Sequence, residues 1–269
     1  MLDGFLKTAA ATPTIRVADP EYNAKQIVDL LHQAVAQGVK FLVCPELCLT
    51  GYTCGDLFLQ PLLLAGAERA LASVLEQSKD LPLMAAVGLP VMVEGKLYNC
   101  AAVFCQGELL GLVPKKHIPN YSEFYEQRHF TSGTGTNGEV TLCGQTVPFG
   151  EKLLFRCQDV PLFTAGFEIC EDLWVAQPPS GDLAEAGALV IGNLSASDEM
   201  IGKEDYRRQL VSSQSARLVC GYVYADAGYG ESSTDLIFAG HNLIGENGAI
   251  LTESKLFENQ MVVTELDLS

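Results

Sequence analysis

Apolar residues recur along this chain in two ways: at helical spacing in a few stretches, and in short unbroken runs in many more. Behind Asp19-Pro20, an N-cap and first-turn proline, Ala24, Ile27, Leu31, Ala34 and Val35 hold one helical face until Gly38 stops it. Pro61 opens a second helix, running towards Ser78 through Leu64, Leu71 and Leu75. A short helix is predicted over 183–186, and a longer one from Lys203 to Val219, closed by Gly221. The unbroken runs predict strands over 5–11, 40–43, 83–88, 96–105, 108–113, 152–157, 161–169, 188–191, 222–225, 236–244, 249–251 and 261–266. Glu94-Gly95, Gln106-Gly107 and Asn247-Gly248 mark tight reversals between them. Strands outnumber helices and many are joined by hairpins. That favours packed sheets flanked by helices over a purely parallel, doubly wound sheet. A long polar and aromatic loop spans 115–138, with a helical turn expected over 122–127. Such an excursion in a compact domain is more often functional than accidental.

The 269 residues suit one large α/β domain or two small ones, without internal repeat or linker. A net charge of −16 argues against a nucleic-acid backbone or an anionic membrane surface as partner. No apolar run approaches the ~18 residues of a membrane span. Met1 to Phe5 lacks the basic and apolar regions of a signal peptide, so a reducing cytoplasm is expected. The nine cysteines include no C-x-x-C pair, and Cys44, Cys48 and Cys54 match no zinc spacing, so no metal is expected.

Several motifs fail on context. Gly133, Gly135 and Gly138 spell G-x-G-x-x-G, but a polar loop precedes them and a strand-like run, Val140-Thr141-Leu142, follows. No phosphate-loop signature and no G-x-S-x-G nucleophile elbow occurs. His32, His117, His129 and His241 are scattered, and a Cys–His pair would need His117 or His129 to fold back on Cys170.

One constellation survives. Glu46 closes the run 41–46, Lys115 closes 109–115, and Cys170 follows the run 161–169, so an acid, an amine and a thiol stand at three strand ends. A carboxylate in an apolar pocket can take the thiol proton. A neighbouring ammonium offsets the repulsion from that carboxylate and from Glu171 and Asp172. With the N–H of Glu171 it can also hold the oxyanion of a tetrahedral intermediate. The plain alternative is a buried Glu46–Lys115 ion pair beside a core thiol.

At these residues the chain resembles the nitrilase, or carbon–nitrogen hydrolase, superfamily. Cys44-Pro45-Glu46-Leu47 through Thr50-Gly51-Tyr52 matches its glutamate motif, Pro114-Lys115-Lys116-His117-Ile118-Pro119 its lysine motif, and Glu168 to Trp174 its cysteine motif. Within that superfamily the chain is similar to the amino-terminal half of glutamine-dependent NAD+ synthetases. Asp3-Gly4-Phe5, the loop from Pro119 to Arg128, Asn193 to Ser197, Gly202-Lys203 and Tyr206-Arg207-Arg208 carry this closer likeness.

The resemblance implies a four-layer α-β-β-α sandwich over residues 1–269 and a catalytic triad of Glu46, Lys115 and Cys170. It implies L-glutamine as substrate, a cysteine thioester and released ammonia. Glu123 falls where many members carry a second glutamate. Glu171, Ser197 and Lys203 are implied for the α-ammonium and α-carboxylate, and Lys203 stands where many relatives have Arg. Tyr121 and Trp174 would wall the pocket, with Tyr52 a weaker addition. No cofactor is expected for this part. ATP and Mg belong with a carboxy-terminal synthetase domain, whose S-G-G-x-D-S loop is absent from these residues. The chain is expected to be either a cut piece with that domain as its partner, in a homo-oligomer, or a free-standing relative. Two rival expectations stand beside it: an independent amidase for another small amide, and a non-catalytic oligomer scaffold.

Overall fold

The computed structural model describes residues 4–160 and 162–269. Asp3 of the opening motif and Pro161 of the strand predicted over 161–169 lie outside the described residues. In chain order the elements are β1 (Phe5–Ala11), α1 (Pro20–Ala36), β2 (Phe41–Val43), α2 (Pro61–Gln77), β3 (Met84–Val93), β4 (Lys96–Cys105), β5 (Glu108–Pro114), β6 (Asn137–Leu142), β7 (Gln145–Gly150), β8 (Leu154–Arg156), β9 (Thr164–Ile169), α3 (Pro179–Glu185), β10 (Val190–Ser195), α4 (Lys203–Leu218), β11 (Gly221–Asp226), β12 (Leu243–Glu246), β13 (Ala249–Glu253) and β14 (Met261–Asp267). Helix α1 starts where its cap was expected: the Asp19 carboxylate accepts from the Tyr22 N–H at 3.1 Å.

Two sheets form, in the strand orders β14-β1-β2-β3-β4-β5-β7-β6 and β13-β12-β11-β10-β9-β8. Ile27, Leu31, Leu71 and Val74 of α1 and α2 pack with Leu42, Ala85 and Ala102 on one side of the first sheet. Phe41, Val43, Ala101 and Val103 on its other side meet Phe167, Val190, Leu194 and Val223 of the second sheet. Leu183 and Val211 of α3 and α4 cover the far side, over Ile191, Tyr222 and Tyr224. The result is the expected α-β-β-α sandwich. Its central strands are buried on both faces, which is why they read as unbroken apolar runs rather than as alternation.

Three differences from the predicted elements have physical causes. Strand β7 was not foreseen; it returns from β6 through Cys143-Gly144, both at positive φ (52° and 73°), as a two-residue hairpin demands. The G-x-G-x-x-G run ends inside β6, and no helix follows it. Residues 236–242 were expected to be strand but lie in a loop. Their apolar members Leu236 and Phe238 pack on Ala196 and Ala227, and only one bridge, Asp198 to Phe238, forms. No helix among the described residues is long and apolar enough to cross a membrane.

The topology brings strand ends together. β1, β2 and β3 run parallel in one sheet, and β9, β10 and β11 in the other. The segment after β2 crosses the mouth between the sheets, where the Glu46 N–H donates to the Ser195 carbonyl at 3.3 Å. Gly88 of β3 makes room for that crossing. A Cβ there would stand 2.1 Å from the Leu47 nitrogen and 2.7 Å from the Glu46 carbonyl carbon.

Candidate active site

Three of the expected residues converge. Glu46 and Lys115 are buried, and the Lys115 ammonium donates to Glu46 Oε1 at 2.7 Å. Its other donors reach Glu126, at 2.8 Å to Oε1 and 2.9 Å to Oε2. Cys170, 6% exposed, opens the short 3-10 turn Cys170–Leu173 after β9. It holds a left-handed φ of 45°, a conformation that costs a non-glycine residue about 1–3 kcal/mol. The turn is held from below. The Cys170 N–H donates to Asn193 Oδ1 at 3.2 Å, and Asn193 is tied in turn to Ser195 Oγ (2.8 Å) and the Tyr222 hydroxyl (3.0 Å). Asp172 accepts from the Ile169 N–H at 3.0 Å and from the His117 N–H at 2.8 Å. One buried carboxylate thus fixes the cysteine turn against the segment that follows Lys115.

The electrostatics follow from burial. Loss of water raises the Cys170 thiol well above its ordinary pKa, and the Glu46 charge adds to this. Lys115 and a hydrogen bond from the Ala196 backbone oppose the rise without cancelling it. The resting group is therefore a thiol, and attack on a carbonyl requires a base to take its proton. Burial also works against the Lys115 charge, but Glu126 and Glu46 outweigh it and hold the ammonium well above its usual range. Glu126 is pushed up to about 7 by burial and by Glu46, against the pull of Lys115. The two partners shift in the same direction because one cation serves two carboxylates. Glu46 Oε1 is saturated by Lys115 and by Asn99 Nδ2 at 2.6 Å, while Oε2 is buried with no hydrogen-bond partner among the described residues. The free lone pairs of the cluster sit on the candidate base.

The remaining expected residues divide. Glu123 was the expected second glutamate, but the carboxylate on Lys115 is Glu126, three residues further along. The 115–126 segment is an irregular loop with no periodicity to set which carboxylate turns inward, and Glu123 stays half-buried at its edge. The Tyr52 hydroxyl donates to Glu126 Oε1 at 2.8 Å. Glu231 fixes that segment by accepting from the Tyr52 and Thr53 N–H groups at 2.7 and 3.0 Å. The Tyr121 hydroxyl donates to both oxygens of Glu171, at 3.0 and 2.9 Å. Trp174 stacks on Tyr206 with centroids 5.3 Å apart. The Lys203 ammonium lies 5.3 Å from the Trp174 ring centre and 5.7 Å from that of Phe124, with Asp198 as its carboxylate partner. Ser197 is buried; its N–H donates to Asp226 at 2.8 Å and its Oγ accepts from Arg207 at 3.3 Å.

Sequence reasoning missed Asn99 and Asp198, and it gave no role to Glu126, Phe124, Asn193 and the fully buried Arg207 although they lie in the segments that carry the resemblance. Of the two missed, Asn99 carried a local signal, as a lone amide among Leu97, Tyr98, Cys100, Ala101 and Ala102. No group of three His, Cys, Asp or Glu residues placed to hold a metal ion occurs among the described residues.

Known proteins resemble this chain in sequence and fold. A family model described as carbon–nitrogen hydrolase matches residues 7–269. The glutamine-dependent NAD(+) synthetase of Mycobacterium bovis is 44% identical over 254 residues, covering 94% of this chain and 37% of that protein. The enzyme of the same name from Aquifex aeolicus is 30% identical over 265 residues, covering 98% of this chain and 43% of that one. Among solved structures, a glutamine-dependent NAD(+) synthetase from Cytophaga hutchinsonii superposes with a TM-score of 0.85 at 30% identity, covering 97% of this chain and 43% of that one. A nitrilase-superfamily amidase from Nesterenkonia superposes at 0.76 with 18% identity over 99% of this chain and 92% of that one, a likeness of fold alone. The chain spans less than half the length of the curated relatives it matches.

Proposed function

This chain belongs to the carbon–nitrogen hydrolase family, and on that premise we propose that it hydrolyses the side-chain amide of L-glutamine through a thioester on Cys170. The observation that carries the reading is the division of labour on Glu46: one oxygen is held by Lys115 and Asn99, and the other is buried and free.

The steps follow from that geometry. Glu46 takes the thiol proton as sulfur attacks the amide carbon. The oxyanion accepts from the N–H of Glu171, which sits in the first turn after β9, where no earlier carbonyl of the turn can accept it, and the Lys115 ammonium, its donors engaged by Glu46 and Glu126, stabilises it by charge. Glu46 returns the proton to the leaving nitrogen, ammonia departs, and a thioester remains. Water activated by Glu46 then releases glutamate. Glu126 keeps Lys115 in place and charged; Glu123 has no part in this scheme. Glu171, oriented by Tyr121, receives the α-ammonium, while Lys203 and Ser197 serve the α-carboxylate and Trp174 walls the pocket.

The relatives support a larger setting. The ammonia passes to an ATP- and Mg-dependent synthetase domain of the same polypeptide, which amidates deamido-NAD, and this part needs no cofactor of its own. The test is an electrophilic glutamine analogue. It should form a covalent adduct on Cys170 by mass spectrometry, and glutamate release should vanish in Cys170→Ala. Turnover of another small amide but not of glutamine would make the chain an independent amidase. An inert Cys170 would leave a non-catalytic scaffold.

A further inference from the structure

Two buried acceptors at the site lack partners: Glu46 Oε2 and Asn99 Oδ1. They are the free halves of two groups that meet at 2.6 Å through Asn99 Nδ2 and Glu46 Oε1. The orientation of the Asn99 amide is fixed by chemistry. Glu46 Oε1 also accepts from Lys115, so the Asn99 atom facing it must be the NH2 end, which turns Oδ1 away from the carboxylate. The strand fixes its direction. In β4, Cys100, Ala102 and Phe104 face the α1–α2 layer, whereas Ala101 and Val103 face the second sheet. Asn99 shares the parity of Ala101 and Val103, so it points into the layer between the sheets where Glu46, Lys115 and Cys170 meet. Its backbone belongs to the same site, since the Asn99 carbonyl accepts from the Lys115 N–H at 2.8 Å. An orphaned acceptor on a 1% exposed residue is a cost to the fold unless something donates to it.

We propose that Asn99 Oδ1 and Glu46 Oε2 together form the subsite for the leaving amino group, and that this pair selects primary amides over esters. The inference rests on the amide-hydrolysing reading above. In the tetrahedral intermediate the new S–C bond is made and the former thiol proton sits on Glu46 Oε2. The nitrogen offers its lone pair to that proton and one N–H to Asn99 Oδ1. The C–N bond then breaks, Glu46 gives up the proton, and neutral ammonia leaves. An ester's alkoxide leaves as the alcohol with the same proton, but it has no N–H for Asn99 to accept.

The test compares glutamine with glutamate γ-methyl ester, which pass through the same thioester, and reads kcat/KM for acylation. Asn99→Leu also takes the Nδ2 donor from Glu46, so it should lower both values, and that for the amide by about 20-fold more than that for the ester. An equal fall on both, or none on either, overturns the proposal, because a role limited to holding Glu46 or the fold affects the two alike. Asn99→Asp, measured at pH 6, keeps shape and a carbonyl-type acceptor. It should slow both substrates while keeping the amide-to-ester ratio within about 3-fold of the parent, and collapse of that ratio also overturns the proposal. Failure of the glutamine reading is separately visible as no glutamate from either compound with the parent protein. The same comparison is then made with whichever primary amide the parent hydrolyses and its methyl ester, and the same outcomes decide.

Discussion

Lys115→Met is the sharpest perturbation of this site. Among the described residues the ammonium is the only cation on two buried carboxylates, at 2.7 Å from Glu46 and 2.8 and 2.9 Å from Glu126. Removing one partner of a buried ion pair costs about 3–5 kcal/mol, because the charge left behind has neither water nor a counterion. Here two carboxylates are left facing each other, and Glu126 responds by holding its proton. The sign of the pH dependence follows. Glu126 already titrates at about 7 in the folded protein, above the ordinary carboxyl value, and without the ammonium it rises further. A carboxyl raised in the folded state contributes stability that is present below its unfolded pKa and lost as pH climbs through the folded one. The variant should therefore suffer least near pH 5 and most near pH 8. One extra proton held across one pH unit makes a difference of about 1.4 kcal/mol. Urea unfolding of parent and variant at pH 5 and pH 8 measures it. A penalty equal at the two pH values, or smaller than about 1 kcal/mol at both, would refute the charge argument. Adduct formation on Cys170 should fall with it at every pH.

Other substitutions test other parts of the arrangement. Glu126→Gln should cut glutamate release by about 100-fold or more while Glu123→Gln leaves it within about 3-fold, so steady-state kinetics of the two decide which carboxylate serves Lys115. Gly88→Ala would put a methyl group 2.1 Å from the Leu47 nitrogen, so it should cost at least the ~1–3 kcal/mol of ordinary overpacking in a thermal melt and also displace Glu46, seen as lost Cys170 labelling. Asp172→Asn replaces one of the two oxygens that accept from the backbone N–H groups of Ile169, Lys116 and His117 and should destabilise the fold by about 1–3 kcal/mol, read by denaturant unfolding. Tyr121→Phe frees Glu171 from its hydroxyl donor and should raise KM for glutamine by about 3–10-fold with little change in kcat.

What the sequence revealed follows from how each feature is encoded. Glu46, Lys115 and Cys170 were readable because each ends an unbroken apolar run, and a strand buried on both faces has no other signature. Packed sheets flanked by helices were readable for the same reason, together with the hairpin turns, while the four-layer order came from the family resemblance. Glu126 was not, since nothing in an irregular loop distinguishes an inward carboxylate from one three residues away. The partners of the expected pocket residues were hidden by distance along the chain: Glu231 reaches Tyr52 across 179 residues, and Asp226 reaches Ser197 across 29. The apolar run 236–242 misled because apolar residues pack on a loop as readily as in a ladder, and Leu236 and Phe238 pack beside Ala196, next to Ser197.

The same local costs bear on the two readings the sequence left open, a structural ion pair beside a core thiol and the working site proposed above. A pair kept for stability would be balanced and closed. This cluster has two carboxylates for one ammonium, which pushes Glu126 up to about 7. It leaves Glu46 Oε2 and Asn99 Oδ1 buried without partners, at about 1–3 kcal/mol each. It holds Cys170 at a φ of 45°, for about 1–3 kcal/mol more. Three separate destabilising features fall on one point between the sheets, while the turn beneath them, from Asn193 to Tyr222 and Glu168, is fully hydrogen-bonded. Strain and unpaired acceptors gathered above a satisfied support fit the proposed nucleophile, base and incoming amide better than an ion pair that merely holds two sheets together.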